Sequence, residues 1–215
     1  MRTEWIPLSA SALVTGVMAL VLGTLLNPVG GDASPAETLR VVNQEGTRWL
    51  AMAVMYFAGS VAVTLGLPTL LSLFTGRGRT IGVVGVVVFS VGIVGMSGYA
   101  MLMVFFKALV DNKAVDGGAI DAVAHDASLS SFLYVWVVGF LLGIFLITIA
   151  LFRARKTPVW VPILLLVFLV LTPFASDLGP VGPAVQMMAM AAAFTGVATT
   201  ASSPEHRAEL QRSLS

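Results

Sequence analysis

Between Ile6 and Val197 the chain alternates long apolar runs with short polar connectors. The runs cover residues 6–26, 50–74, 81–106, 129–152, 159–175 and 181–197, and none contains Asp, Glu, Lys or Arg. Each is about 17 to 26 residues long, close to the roughly 20 helical residues that cross a hydrocarbon core of about 30 Å. None alternates with a period of two, as the short strands of a membrane β-barrel must. Six apolar helices in a chain of 215 residues could not cover one another in water. The pattern predicts an all-α membrane protein, a bundle of six transmembrane helices forming a single transmembrane domain over residues 1–215.

The polar connectors carry elements of their own. In the first, Ser34-Pro35-Ala36-Glu37 reads as a helix start, with Ser34 as cap, Pro35 in the first turn and Glu37 at the capping-box position. Leu39 and Val42 then share a face, and Gly46 is expected to end the run. In the connector after the third span, Ile120, Val123, Ala124 and Ala127 share a face, with Asp121, His125 and Asp126 opposite. Two short amphipathic helices are therefore expected in the outer loops, lying at the membrane surface and capping the bundle. The turns at Arg77-Gly78-Arg79 and Arg153-Ala154-Arg155 are short, so the second and third spans, and the fourth and fifth, should pack as antiparallel hairpins. The shared Arg-x-Arg triplet raises an internal repeat, which positive residues at inner turns also produce by chance.

Glycine and proline mark expected packing. Gly82, Gly85 and Gly92 fall in one stripe of the third span, where small residues let helix backbones approach closely. Gly95 and Gly98 drift off that stripe. Pro68, inside the second span, removes a backbone donor and is expected to act as a hinge or kink.

Charge adds orientation. Arg2, then Arg77 and Arg79, then Arg153, Arg155 and Lys156, then His206, Arg207 and Arg212 fall on one side of a six-span layout. Asp32, Glu37, Glu45, Asp111, Asp116, Asp121, Asp126 and Asp177 fall on the other, where they outnumber Arg40, Arg48, Lys107 and Lys113. Lys and Arg mark the cytoplasmic side. The expected location is the bacterial cytoplasmic membrane, multi-pass, with both termini cytoplasmic. The first run is longer than a signal-peptide core and is expected to remain as an anchor. With 12 basic and 11 acidic residues, nothing points to a nucleic-acid partner. Membrane lipid is the expected partner, with a protein partner or a second copy of the chain beside it.

Candidate chemistry is sparse. Cysteine is absent, which excludes disulfides, thiol catalysis and cysteine-ligated metals. The two histidines, His125 and His206, lie outside the runs. Intramembrane ionisable groups usually mark proton relays and voltage sensors, and none is present. No metalloprotease helix, nucleophile elbow or phosphate-binding glycine loop occurs. No cofactor is expected. Tyr99, Ser97, Thr64 and Gln186 are mild polar residues that could line a ligand cavity. Asp121 and His125, four apart, with Asp126 beside them, could hold a divalent metal such as zinc. Trp5, Trp49, Trp136 and Trp160 fit interfacial anchoring, and Lys107 can snorkel outward. The tail from Pro204, capped by Ser203, is expected to form a short helix that frays.

The layout resembles that of small uncharacterised six-helix integral membrane proteins of actinobacterial type. Residues 34–48, 77–79, 111–128 and 153–156 carry the resemblance: a long first outer loop, a second before the fourth helix, and basic inner turns. That likeness implies no activity. The residues themselves favour a non-enzymatic partner-binding, assembly or sensory component. The alternative is a transporter or lipid-handling protein for an apolar or weakly polar solute. Third comes an enzyme acting on lipid at the outer face through Asp121, His125 and Asp126.

Overall fold

A computed structural model describes residues 5–29, 33–175, 177–179 and 181–214. Arg2, Asp32 and Pro180, and the side chains of Ala124 and Arg212, lie outside the described residues. The fold is all-helical among those described. Its elements are α1 (Trp5–Leu25), α2 (Pro35–Gln44), α3 (Gly46–Leu73), α4 (Arg79–Asp111), α5 (Gly117–Ala124), α6 (Ala127–Ala154), α7 (Trp160–Leu171, continued by a 3₁₀ turn at Thr172–Phe174), α8 (Val181–Ser202) and α9 (Pro204–Leu214). Five of them, α1, α3, α4, α6 and α8, are long and apolar enough to cross a membrane; Trp160–Phe174 is apolar but shorter.

These six apolar helices close into a ring that follows the chain, α1 against α3, α3 against α4, then α6, α7 and α8, with α8 returning to α1. The expected hairpins α3–α4 and α6–α7 are both in contact, but the most extensive packing is between α1 and α3 and between α4 and α6. Glycines explain that preference. A Cβ at Gly16 would lie 2.5 Å from the Val63 nitrogen, and one at Gly66 would lie 2.6 Å from the Leu13 Cα. On the other seam, a Cβ at Gly85 would lie 2.9 Å from the Ile147 nitrogen, one at Gly92 2.4 Å from the Phe140 nitrogen, and one at Gly143 2.4 Å from the Phe89 Cα. Backbones meet at both seams because no side chain stands between them. Gly82 differs from its two stripe-mates: it receives the ring of Phe74, at the α3–α4 turn, and not α6. Leu13, Val17, Leu20, Leu70, Phe89, Ile93, Ile147, Leu165 and Phe194 form the interior.

Pro68 sits inside α3, which runs through it without interruption. One residue on, the hydroxyl of Ser9 from α1 donates to the Leu65 carbonyl at 3.0 Å and accepts from the Thr69 N–H at 3.2 Å and the Thr69 hydroxyl at 2.9 Å. Leu65 and Thr69 are the two groups that an undisturbed helix pairs with each other. A serine from the neighbouring helix therefore serves the backbone where proline disturbs the ladder, the remedy that apolar surroundings demand.

A second apolar cluster lies toward the acidic loops. Val42 of α2 is fully buried there with Trp49, Met52, Ala53, Met103 and Val110. The α2 helix lays its apolar face against α3 and α4, with α5 also in contact. One expectation is corrected. Trp49, only 6% exposed, donates its indole N–H to the Met103 carbonyl at 2.9 Å, so it is a core residue and not an interfacial anchor. Ser34 caps α2 by accepting from the Glu37 N–H, but Gly46 does not close the segment: α2 ends at Gln44, and Gly46 opens α3. Lys107 pairs at 2.6 Å with Asp111, one turn further along at the end of α4, and lies across Gly46. The short helix expected after Ser203 is present as α9, with His206 buried.

Candidate ligand cavity

Most hydroxyls in the apolar helices return a bond to their own backbone. Thr24 donates to Leu20, Ser60 to Tyr56, Thr148 to Ile144 and Thr195 to Ala191, all four residues back. Thr64 and Ser97 belong to this group. Thr64 donates to the Ser60 carbonyl at 2.8 Å and faces outward; Ser97 donates to the Ile93 carbonyl at 3.5 Å. Neither reaches the cavity described next, so both drop out of the expected site. Their small hydroxyls are satisfied within one turn, and nothing turns them inward.

Tyr99 and Gln186 do come together. They line a cavity of about 410 Å³ with Tyr56 of α3, Gly92, Gly95 and Met96 of α4, Trp136 and Phe140 of α6, and Phe168 and Thr172 of α7. Ligand cavities commonly measure about 300–1,000 Å³. Five of its walls are aromatic: Tyr56, Tyr99, Trp136, Phe140 and Phe168. Phe140 packs edge-on to Phe168, and Trp136 edge-on to Phe132, which fixes the inner and outer parts of the wall. Among the described residues, no carboxylate, imidazole, ammonium or guanidinium lines it. Trp136 therefore serves as a wall of this cavity, a role its expected place as an interfacial anchor did not suggest.

Its polar groups are few and oriented. Gln186 Nε2 donates to the Thr172 hydroxyl at 2.6 Å and to the Phe168 carbonyl at 3.3 Å, while the Thr172 hydroxyl donates to that same carbonyl at 3.0 Å. The Tyr56 hydroxyl lies 3.4 Å from that of Thr24, whose proton goes to Leu20, so Tyr56 is the donor there. Among the described residues, neither the Tyr99 hydroxyl nor the Gln186 carbonyl oxygen has a hydrogen-bond partner. Tyr99, 42% exposed, stands at the rim.

The expected metal set does not assemble. Asp126 caps α6, its carboxylate accepting from the Leu129 N–H at 2.8 Å. His125 and Asp121 are solvent-exposed, and the His125 Nδ1 lies 2.8 Å from the Asp121 backbone carbonyl. Among the described residues, no three His, Cys, Asp or Glu side chains are grouped to hold a metal. The spacing that put Asp121 and His125 on one face also put Asp126 at the start of the next helix, where capping claims it.

What fold and cavity define, among the described residues, is an all-helical protein with the apolar helices of a multi-pass membrane protein and a partly open, uncharged, aromatic-walled cleft between them. Comparison with protein-family models, with curated proteins and with solved structures finds no match to this chain.

Proposed function

We propose that this protein is a six-span component of the bacterial cytoplasmic membrane, both termini cytoplasmic, that binds an apolar or weakly polar lipid-like ligand in the cavity between α3, α4, α6, α7 and α8. The carrying observation is the cavity itself: aromatic walls and, among the described lining residues, no charge and hydrogen-bonding side chains at Tyr56, Tyr99, Trp136, Thr172 and Gln186. An uncharged apolar space suits a ligand that partitions from the bilayer. Its role is holding, presenting or moving that ligand, without catalysis, because no acid, base or nucleophile of ordinary strength lines the space. Partner binding, expected first from the outer loops, has less support: α2 is committed to the second apolar cluster and Asp126 to capping.

Support for a sixth crossing comes from the flanks of α7. Val159 before it and Ala175 after its 3₁₀ turn are both right-handed helical. The helical path thus extends over 159–175, roughly 25 Å at 1.5 Å per residue, which local thinning of the bilayer accommodates.

Two measurements test the reading. Lipid extracted from protein purified in mild detergent should include a retained apolar species, and Met187→Trp, which fills the cavity, should lose it. The lipid-facing control Leu142→Trp should not. Equal retention by both variants overturns cavity binding. Because the chain lacks cysteine, Ser128→Cys and Ser203→Cys each give a single thiol; an impermeant reagent should label the first from outside and the second only after permeabilisation.

A further inference from the structure

Away from the cavity, at the end of the bundle opposite the acidic loops, the α3–α4 and α6–α7 turns meet. Lys156 Nζ donates to the Thr75 hydroxyl at 2.8 Å. A Cβ at Gly78 would lie 3.0 Å from the Ala150 carbonyl oxygen and 3.4 Å from the Arg153 Cβ. Arg77-Gly78-Arg79 is therefore seated on the end of α6 that carries Arg153 and Arg155. All four arginines are exposed. Residues 75–81 and 152–160 contain no Asp or Glu, and among the described residues none of the four pairs with a carboxylate. The preference of cations for the cytoplasmic side accounts for the end they occupy, not for two such turns touching. Helix electrostatics account for half of them. Arg153 and Arg155 complement the C-terminus of α6, whereas Arg77 and Arg79 stand at the N-terminus of α4, where a cation is disfavoured. No acid in the first turn and no side-chain cap offsets them there. Charges on touching turns are on the order of one screening length, about 10 Å, apart, so salt leaves much of their repulsion in place.

We infer that these two turns form a binding surface for the headgroup of an anionic phospholipid; the inference rests on the membrane placement proposed above and not on the cavity. A phosphate over the turns offsets the repulsion among the arginines, which nothing else among the described residues does. The apolar neighbours favour a lipid over free phosphate. Phe152, Val159 and Trp160 flank the basic residues in sequence and are 42%, 66% and 47% exposed. A headgroup held by the arginines thus leaves its acyl chains beside side chains that need apolar cover. The α9 helix mixes Glu205 with Arg207 and offers no comparable run of one sign. Each basic residue close to an anionic lipid surface strengthens attachment about fivefold, so the four arginines suffice for a measurable preference.

Native mass spectrometry of the full-length protein in neutral detergent tests this, with Met187→Trp in place so that the cavity does not contribute. The probes are palmitoyl-oleoyl phosphatidylglycerol and the phosphatidylcholine with the same chains. With all four arginines present, phosphatidylglycerol is expected to bind about tenfold more tightly. Arg77→Gln with Arg79→Gln, or Arg153→Gln with Arg155→Gln, should each cut that preference to about threefold. Arg40→Gln with Lys113→Gln removes the same charge among the acidic loops and should leave the preference intact. Unfolding midpoints check that the variants fold, and either arginine pair carries the test without the other. Equal binding of the two lipids, an equal loss in the acidic-loop variant, or displacement of bound lipid by inorganic phosphate overturns the inference. Failure of the protein to float with phosphatidylcholine liposomes overturns the membrane placement instead.

Discussion

Replacing Gly92 by alanine should destabilise the bundle, whereas the same change at Gly98, two turns along α4, should not. A methyl at Gly92 would lie 2.4 Å from the Phe140 nitrogen and 2.5 Å from its Cα, while at Gly98 nothing stands within 4 Å. Carbon atoms rest at about 3.5–4.0 Å, so α4 and α6 must separate by about 1 Å at that level. The obstacle is backbone, so no rotamer change relieves it. Forcing an extra methyl into a packed interior costs about 1–3 kcal/mol. Alanine is also worth up to about 1 kcal/mol over glycine in a helix. That gain applies at both sites and shrinks where the unfolded state keeps its helices, as in dodecyl sulfate.

The net expectation is a loss of about 1–2 kcal/mol for Gly92→Ala and a change between zero and a gain of about 1 kcal/mol for Gly98→Ala. Reversible unfolding in mixed micelles of mild detergent and dodecyl sulfate, followed by tryptophan fluorescence, measures both. Equal midpoints for the two variants would refute a backbone-to-backbone seam. Gly92 and Phe140 also line the cavity, so Gly92→Ala should reduce ligand retention as well.

Other perturbations test single contacts. Ser9→Ala strips the partner from the Leu65 carbonyl and Thr69 N–H, at a cost of about 1–3 kcal/mol. In a Pro68→Ala background the ladder can close without help, so a double-mutant cycle should show coupling of about 0.5 kcal/mol or more; strict additivity would sever Ser9 from the proline. Asp126→Ala removes the α6 cap and should cost about 1 kcal/mol. Amide exchange at Leu129 should rise, and Asp126→Asn should restore protection. By contrast Asp121→Ala and His125→Ala alter exposed side chains and should leave the unfolding midpoint in place.

Five of the long apolar helices were legible because apolar length is set by the bilayer and not by neighbours, while the fifth run forms only the shorter Trp160–Phe174. What each helix face touches was far less legible, since a lipid tail and a neighbouring leucine are chemically alike. Thr64 and Ser97 illustrate the failure: both read as polar lining, yet each is satisfied by a carbonyl one turn back. Trp49 read as an anchor because tryptophan favours membrane interfaces, and only the tertiary packing supplies the Met103 carbonyl that draws it inward. Ser9 had a signal that went unread. It is a serine near the N-terminal end of one apolar run, level with a proline in the next, and an apolar setting makes such a hydroxyl the natural partner for a disturbed ladder.

The cavity follows from a change of residue size along one register. On α4, Gly85, Gly92 and Tyr99 recur every seven residues and so share a face. On α6, running antiparallel, Ile147, Phe140 and Leu133 recur at the same interval. Gly85 meets the backbone at Ile147 and Gly92 the backbone at Phe140, closing the seam at two successive levels. The next level has Tyr99 where a third glycine would continue the closure, and both Tyr99 and Leu133 line the cavity. The helices are thus tied together at these two levels, and a bulky ring stands where a third glycine would continue the stripe. Tyr99→Gly should then let the seam close and shrink the cavity, whereas Tyr99→Phe should keep the space and remove only the hydroxyl. If Tyr99→Gly retained lipid as well as Tyr99→Phe does, the tyrosine would not be what holds the cavity open.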